Sequence, residues 1–232
     1  MAKFSSVLQA RQQLLIHRNQ RGIRYNLKPI LNASTALGNP HSKLPFSFHI
    51  AGTNGKGSVC HALTLGLMHQ GLRVGTYTSP HVNDYTERIC INLNPIQSTL
   101  FETLYEEIYQ KTIRFELTEF ELLSLMAFKY FSQEALDVVV IETGLGGRLD
   151  ATNILNSNIA IVTKIDLDHT HILGDSIEQI TSEKAGIIKA KQQVFTSKNQ
   201  TQLSKILLKE QATKKESIFF ESWSLFIFIL NR

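Results

Sequence analysis

The sequence feature that most constrains the fold is a glycine-rich segment, Ala51 to Ser58, which reads AGTNGKGS. The alternating run at residues 46–50 before it predicts a β-strand, and residues 58–70 after it predict a helix that ends at Gly71. Glycines would let backbone N–H groups approach phosphate oxygens, and a helix N-terminus adds a positive partial charge. Lys56 could reach terminal phosphates, and Ser58 supplies a hydroxyl for a phosphate or magnesium contact. The segment therefore predicts a phosphate-binding loop.

The segment differs from the common G-x-x-x-x-G-K-[ST] pattern at two places. Ile50 stands where that pattern has its first glycine, and Gly57 separates Lys56 from Ser58. A glycine turn with an incidental lysine is the alternative interpretation. The phosphate loop is favoured because strand, glycines, lysine, hydroxyl and helix occur in the order that phosphate binding requires.

The rest of the chain alternates between strand and helix patterns, which predicts an α/β fold with a doubly wound, mostly parallel sheet. Continuous β-branched runs at residues 137–141 and 159–162 are typical of strands buried on both faces. Further strands are predicted at 73–77, 88–91 and 193–196, and further helices at 5–18, 99–110, 118–132, 176–188 and 200–213. Residues 19–45, with three prolines, are predicted to be mainly loop. We expect one domain over residues 1–200, and in residues 201–232 a residual helix and an apolar tail that do not make a complete domain.

Composition argues against several other classes of protein. The net charge is +4 without a Lys/Arg cluster, so no nucleic-acid partner is expected, and an anionic small substrate fits the mild positive balance. The two cysteines are far apart and form no CxxC pair, which favours a reducing cytoplasm. The dense apolar run, residues 225–230, is too short to span a bilayer, and the N-terminus lacks a signal-peptide pattern. We expect a cytoplasmic monomer.

Four predicted strand ends carry polar residues, and in a doubly wound sheet ligands bind beyond the carboxyl ends of the strands. These ends are the phosphate loop, TSPH at 78–81, ETGLGGRLD at 142–150 and TKIDLDH at 163–169. Glu142 follows an apolar strand, where a carboxylate is costly to desolvate unless a cation such as ATP-bound magnesium meets it. Taken alone, Glu142 could equally cap nearby amides, and His169 is more often structural. Their shared edge favours a common site.

The motif set GTNGKGS (52–58), TSPH (78–81), IETGLGGRLDATN (141–153), LDH (167–169) and EKAGI (183–187) resembles folylpolyglutamate synthase/dihydrofolate synthase, within the Mur ligase superfamily. The resemblance runs from about residue 10 to about residue 196. It implies a Mur ligase central-domain fold with ATP and Mg²⁺ as cofactors. It also implies catalytic roles for Lys56, Lys184 and His169.

The resemblance implies further roles residue by residue. The ATP phosphates would be held by Thr53, Asn54, Gly55, Lys56, Gly57 and Ser58. Magnesium would be held by Ser79, Glu142 and His169, and Lys184 would carry a carbamate. The pteroate part of the substrate would be held by Thr118, Leu149, Asp150 and Ala151.

The implied reaction joins L-glutamate to dihydropteroate or a folate through an acyl phosphate, in folate biosynthesis. Members of the family continue into a second α/β domain, so we expect a truncated chain with that domain missing and with little ligase activity alone. An inactive remnant that binds nucleotide or nothing is one alternative. Another is a different Mur-type amide ligase, which the LDATN context and the lack of a UDP-binding N-terminal domain disfavour. A GTPase-like switch is suggested by TKID at 163–166, but the phosphate loop has the wrong spacing and no D-x-x-G follows it.

Overall fold

The structure of this chain, a computed structural model, describes residues 3–221. The predicted apolar run at 225–230 lies outside the described residues. Within residues 3–221, no helix has the length and apolarity needed to cross a membrane.

The described residues form a single eight-stranded sheet in the order β4-β3-β2-β5-β1-β6-β7-β8. The six strands from β2 to β8 in that order pair in parallel, whereas β3 and β4 add an antiparallel edge. Strand β1 lies between β5 and β6, so the chain winds outward from it in both directions. The strands are β1 Phe46–Ala51, β2 Val74–Tyr77, β3 Ile89–Ile91, β4 Asn94–Pro95, β5 Val138–Glu142, β6 Ile159–Val162, β7 Gln193–Thr196 and β8 Ile218–Glu221.

Helices cover both faces of this sheet, which confirms the doubly wound α/β prediction. The side chains of β5 alternate: Val139 and Ile141 pack in the cluster that includes α4 and α5, while Val138 and Val140 pack against α3. A third cluster joins β6 and β7 to α7 and α8. The helices are α1 Lys3–Arg21, α2 Lys28–Ala36, α3 Lys56–His69, α4 Ser98–Thr112, α5 Glu119–Gln133, α6 Thr170–Leu173, α7 Ile177–Ala185 and α8 Gln202–Lys214.

The prediction that residues 19–45 are mainly loop is wrong, because α2 occupies Lys28–Ala36. Pro29 lies in its first turn, where a missing N–H costs no intrahelical hydrogen bond. Ile30 and Ala33 are fully buried, so packing stabilises this short helix. Pro29 therefore belongs to the first turn of a helix and not to a loop.

Strand β8 lies at the beginning of the predicted apolar tail and was not predicted. It pairs in parallel with β7, and the ring of Phe220 stacks on Phe195 with centroids 4.7 Å apart. Phe219 packs in the cluster that contains Leu208 and Ala212 of α8. The described part of residues 201–232 thus extends the same sheet. The domain division at residue 200 stays a prediction.

Candidate functional site

The phosphate loop joins β1 to α3, and its backbone conformation requires glycine at two positions. Gly52 has φ +147°, and a Cβ added there would lie 1.8 Å from Thr163 Oγ1. Gly55 is left-handed, with φ +86°, and forms the N-cap of α3. The helix therefore begins at Lys56, two residues earlier than the sequence pattern predicts. Lys56 is in its first turn, beside the N–H groups that lack intrahelical partners.

The loop after β6 holds the phosphate loop in shape. The backbone N–H groups of Thr53 and Asn54 both donate to the carbonyl oxygen of Lys164, at 2.9 and 3.3 Å. The Thr53 hydroxyl donates to the carbonyl oxygen of Asp166, and the Asp166 N–H donates back to that hydroxyl, each at 3.0 Å. Two of the four predicted strand ends are thus bonded to each other, and Thr53 is one of the residues that join them.

Two lysine side chains meet at one carbonyl oxygen of the phosphate loop. Lys56 Nζ lies 3.1 Å from the oxygen of Gly52, and Lys184 Nζ, coming from α7, lies 2.9 Å from the same oxygen. Lys184 is 2% exposed. Burial first, and the neighbouring positive charge of Lys56 second, lower the pKa of Lys184 to about 8. Lys184 therefore lies against the phosphate loop and not in solvent.

Glu142 is the last residue of β5, rather than the residue after it, and its carboxylate is 3% exposed. Its Oε2 accepts a hydrogen bond from the Ser79 N–H at 3.1 Å. A Cβ added at Gly57 would lie 3.8 Å from the same oxygen, so this carboxylate faces the first turn of α3. Burial raises the pKa of Glu142 to about 7, against the opposing effects of the Ser79 N–H and the Lys56 charge. Such a carboxylate is ionised at less cost when a cation approaches it.

His169 forms the N-cap of α6 in the left-handed conformation, and its side chain is half-exposed. It lines the same cavity as Lys56 and Ser79. Within the described part of the chain, no three His, Cys, Asp or Glu side chains are grouped closely enough to hold a metal ion by themselves. The hydroxyl of Ser79 and the carboxylate of Glu142 nevertheless fit magnesium, which takes oxygen ligands and keeps several from water or phosphate.

A cavity of about 600 Å³ opens beside the phosphate loop. All four residues that the resemblance assigns to the pteroate group line it, together with Lys56. It also contains residues that sequence reasoning did not single out: Arg18, Tyr25, Arg88, Glu119, Phe120, Gly144 and Leu145. The predicted substrate residues and the predicted phosphate lysine therefore share one cavity.

Thr118 and Asp150 use their polar groups mainly to shape the cavity wall. Thr118 is the N-cap of α5: its hydroxyl accepts from the Glu121 N–H at 3.2 Å, and its own N–H donates to Glu121 Oε2 at 2.7 Å. The Asp150 carboxylate accepts from the N–H groups of Leu145 and Thr152, at 2.8 and 2.9 Å. Asp150 is buried, and this burial raises its pKa. Both side chains fix the backbone that surrounds the cavity.

Arg88 is the most buried of the cationic residues that sequence reasoning missed. Its Nε donates to His81 Nδ1 at 2.8 Å, and its Nη2 lies 3.6 Å from Glu119 Oε1. Arg18 of α1 approaches the other oxygen of Glu119 at 3.9 Å. These residues come from three distant segments, so no local pattern could have grouped them. His81, the last residue of the TSPH segment, belongs to this cluster.

Two proteins that are similar in sequence to this chain carry the same name. The chain is 39% identical over 194 residues to a dihydrofolate synthase/folylpolyglutamate synthase of Buchnera aphidicola, which covers 82% of this chain and 45% of the relative. It is 47% identical over 146 residues to the Escherichia coli protein of that name, which covers 63% of this chain and 33% of the relative. No family model matches.

Solved structures agree with these relatives. A structure of Escherichia coli FolC in complex with DHPP and ADP has a TM-score of 0.84 and 36% identity, covering 90% of this chain and 50% of that chain. Mycobacterium tuberculosis folylpolyglutamate synthase complexed with ADP has a TM-score of 0.87 and 33% identity, covering 95% and 51%. The chain thus spans about half, or less, of the length of the proteins that it matches.

Proposed function

Because the chain belongs to the dihydrofolate synthase/folylpolyglutamate synthase family, we propose that it forms the part of an ATP-dependent ligase that activates a pteroate-type carboxylate. The observation that carries the proposal is the shared cavity, in which Lys56, Ser79 and Asp150 lie around one volume. The phosphate loop must adjoin the residues that bind the pteroate-type acid if the carboxylate of that acid is to reach the γ-phosphate of ATP. We further propose that the protein is a cytoplasmic monomer.

The proposed reaction has two steps. A carboxylate oxygen of dihydropteroate or a folate attacks the γ-phosphorus of ATP, and the bond to the ADP oxygen breaks. The neutral amine of L-glutamate then attacks the acyl carbon and loses one proton to the departing phosphate or to water, and phosphate leaves with the pair of electrons from the C–O bond. Lys56 and the N–H groups at the start of α3 offset the negative charge that accumulates in the first step.

Ser79, Glu142 and His169 are the residues that would hold a divalent cation. A bound magnesium ion would supply positive charge that reduces repulsion between the substrate carboxylate and the phosphates. The solved relatives include complexes with ADP, and one with Mn, AMPPNP and L-glutamate. The buried carboxylate of Glu142, whose pKa is raised to about 7, supports this assignment from the chain itself.

Lys184 is the residue that we propose to be carbamylated. The reaction requires a neutral amine: the nitrogen lone pair forms a bond to the carbon of CO₂, and one amine proton leaves to water. A pKa near 8 gives a neutral fraction at neutral pH far above that of an ordinary lysine. The resulting anion would lie beside the Gly52 carbonyl and near Lys56.

The structure offers no support for the GTPase-like alternative. The carboxylate of Asp166, the acid of TKID, lies 3.3 Å from Lys164 Nζ and accepts from the Leu167 N–H at 3.0 Å. Its backbone binds Thr53 of the phosphate loop. Asp166 therefore takes part in contacts that shape this edge of the sheet.

Trapping the acyl phosphate tests the proposal without depending on glutamate. The chain would be incubated with ATP, magnesium, dihydropteroate and hydroxylamine, which converts an acyl phosphate into a stable hydroxamate. We expect hydroxamate and ADP in equal amounts, and much less of both with Lys56→Ala than with the exposed control Lys209→Ala. Labelled glutamate in place of hydroxylamine reports amide formation separately.

Three outcomes would decide against the proposal. ADP release that does not depend on dihydropteroate would indicate a nucleotidase. Hydroxamate from a peptidoglycan precursor, and none from dihydropteroate, would favour a different Mur-type ligase. Nucleotide binding without any hydroxamate would select the remnant that only binds nucleotide.

A further inference from the structure

One wall of the cavity is formed by the loop of residues 145–152, here called the acid-binding wall. His49, in the middle of β1, is fully buried and contacts this loop. Its Nε2 lies 2.8 Å from the hydroxyl oxygen of Thr152. Its Nδ1 has no hydrogen-bond partner among the described residues. Burial first, and the charge of Lys189 second, lower the pKa of His49 to about 3, so the imidazole is neutral at physiological pH. Burial of a polar ring costs free energy unless the ring is hydrogen-bonded, so the contact with Thr152 offsets part of that cost.

The hydrogen bond from His49 continues through Thr152 to Asp150. The Thr152 hydroxyl lies 2.5 Å from Asp150 Oδ1, which also accepts the Thr152 N–H. Asp150 meets the N–H groups of Leu145 and Thr152 and the Thr152 hydroxyl, and these donors stabilise its ionised form against the effect of burial. An ionised carboxylate can only accept, so the single hydroxyl proton of Thr152 is donated to Asp150. Thr152 must then accept from His49, which places the imidazole proton on Nε2.

Asp150 in turn fixes the whole wall of the cavity. Its two oxygens bind N–H groups on either side of it in the chain, those of Leu145 and Thr152. Leu145, Leu149 and Ala151, which lie within this span, line the cavity. Asp150 therefore sets the distance between the two ends of the wall, and the orientation of its carboxylate depends on the donors that it meets.

We propose that His49 and Thr152 are positioning residues for the acid-binding wall: His49 orients the Thr152 hydroxyl, which holds Asp150 and, through it, the backbone from Leu145 to Thr152. Neither side chain is among those that line the cavity, so both act through Asp150. The link to pteroate binding rests on the proposed function. The link to the shape of the wall does not.

The competing interpretation is that His49 and Thr152 merely fill space in the core. Two substitutions at residue 152 separate the possibilities. Thr152→Val keeps the volume and removes the hydroxyl, whereas Thr152→Ser keeps the hydroxyl and removes a methyl group. A space-filling role predicts that Ser is the worse replacement, and a positioning role predicts that Val is.

Hydrogen exchange of backbone amides tests the wall directly and needs no ligand. In Thr152→Val the Leu145 amide should exchange at least about tenfold faster, since a buried carboxylate and a buried imidazole each lose a partner. In Thr152→Ser it should stay close to wild type. The backbone amides of the buried central strand β5 are the internal reference for global stability.

Two further measurements complete the test. In wild type, ¹⁵N chemical shifts should show His49 as the neutral tautomer protonated at Nε2. The Kd for dihydropteroate should rise about tenfold in Thr152→Val and return in Thr152→Ser, with nucleotide affinity unchanged in both.

The outcomes distinguish this inference from the proposed function. Equal behaviour of the Val and Ser variants, or a His49 proton on Nδ1, overturns the positioning role, and the second result needs no variant to fold. If the exchange pattern is as expected but the wild-type chain does not bind dihydropteroate, the positioning of the wall stands and the pteroate function is overturned.

Discussion

Burial of the Lys184 amine should make the free energy of unfolding of this protein depend on pH. Its pKa is lowered from 10.5 to about 8, mainly by burial. A lowered lysine pKa means that the folded state binds the proton less tightly than the unfolded state. Below about pH 8 both states are charged and the full cost of burial is present, about 3 kcal/mol. As pH rises from about 8 towards 10.5, the folded state loses its proton first and the cost disappears.

The free energy of unfolding of wild type should therefore gain about 2 kcal/mol from Lys184 between about pH 7.5 and pH 9.5. Lys184→Met keeps a long apolar stem in the same space and removes the titrating group. We expect this variant to lose that part of the gain. Lys189, whose pKa is also lowered to about 8, contributes its own slope equally to both proteins. The difference between wild type and variant isolates Lys184.

Urea unfolding, followed by circular dichroism at the two pH values, measures this difference. The exposed Lys209→Met is the matched control and should retain the wild-type pH dependence. The buffers should be free of bicarbonate, so that the amine itself is observed. An identical pH dependence in wild type and Lys184→Met would refute the claim that the free amine of Lys184 titrates in a buried position.

Two other predictions concern the site and its support. Glu142→Gln should leave the fold intact but reduce the magnesium dependence of nucleotide binding, so that the Kd for nucleotide is similar with and without the ion. If magnesium changes the Kd of the variant as much as that of wild type, Glu142 is excluded as a ligand. Gly147→Ala should destabilise the fold by about 1–3 kcal/mol, because its Cβ would lie 2.7 Å from the Glu183 carbonyl oxygen. Gly66→Ala, whose Cβ meets nothing within 4 Å in α3, should instead stabilise by about 0.5–1 kcal/mol; equal effects of the two substitutions in urea unfolding would contradict this packing.

The parts of the fold that could be predicted are those with local signals. The β-branched runs of β5 and β6 are buried on both faces, so their sequences are apolar throughout. The phosphate loop has a composition that its positive φ angles require. Helix α2 was missed because Pro29 is compatible with a first helical turn and with a loop alike. Strand β8 was missed because Ile218, Phe219 and Phe220 stand at the start of the longer apolar tail, and their pairing with β7 is a contact that no local pattern shows.

The candidate site could be predicted as far as strand order allowed. Parallel topology places the carboxyl ends of strands at one edge, so Ser79 and Glu142 could be expected to meet, and they share a hydrogen bond. Arg88 and His49 could not be predicted. Arg88 acquires its partners from α5 and from the loop after β2, and His49 looks like any polar residue in an alternating strand. Their roles depend on contacts between residues far apart in the chain.

The central claim is that the loop from Gly52 to Ser58 binds the phosphates of a nucleotide, with Lys56 as its main cation. Calorimetric titration with a non-hydrolysable ATP analogue and magnesium tests it most directly. We predict saturable binding of one analogue per chain, weakened at least about tenfold by Lys56→Ala and unchanged by Lys209→Ala. Equal affinity of the wild-type chain and Lys56→Ala, or no binding by the folded wild-type chain, would contradict the account.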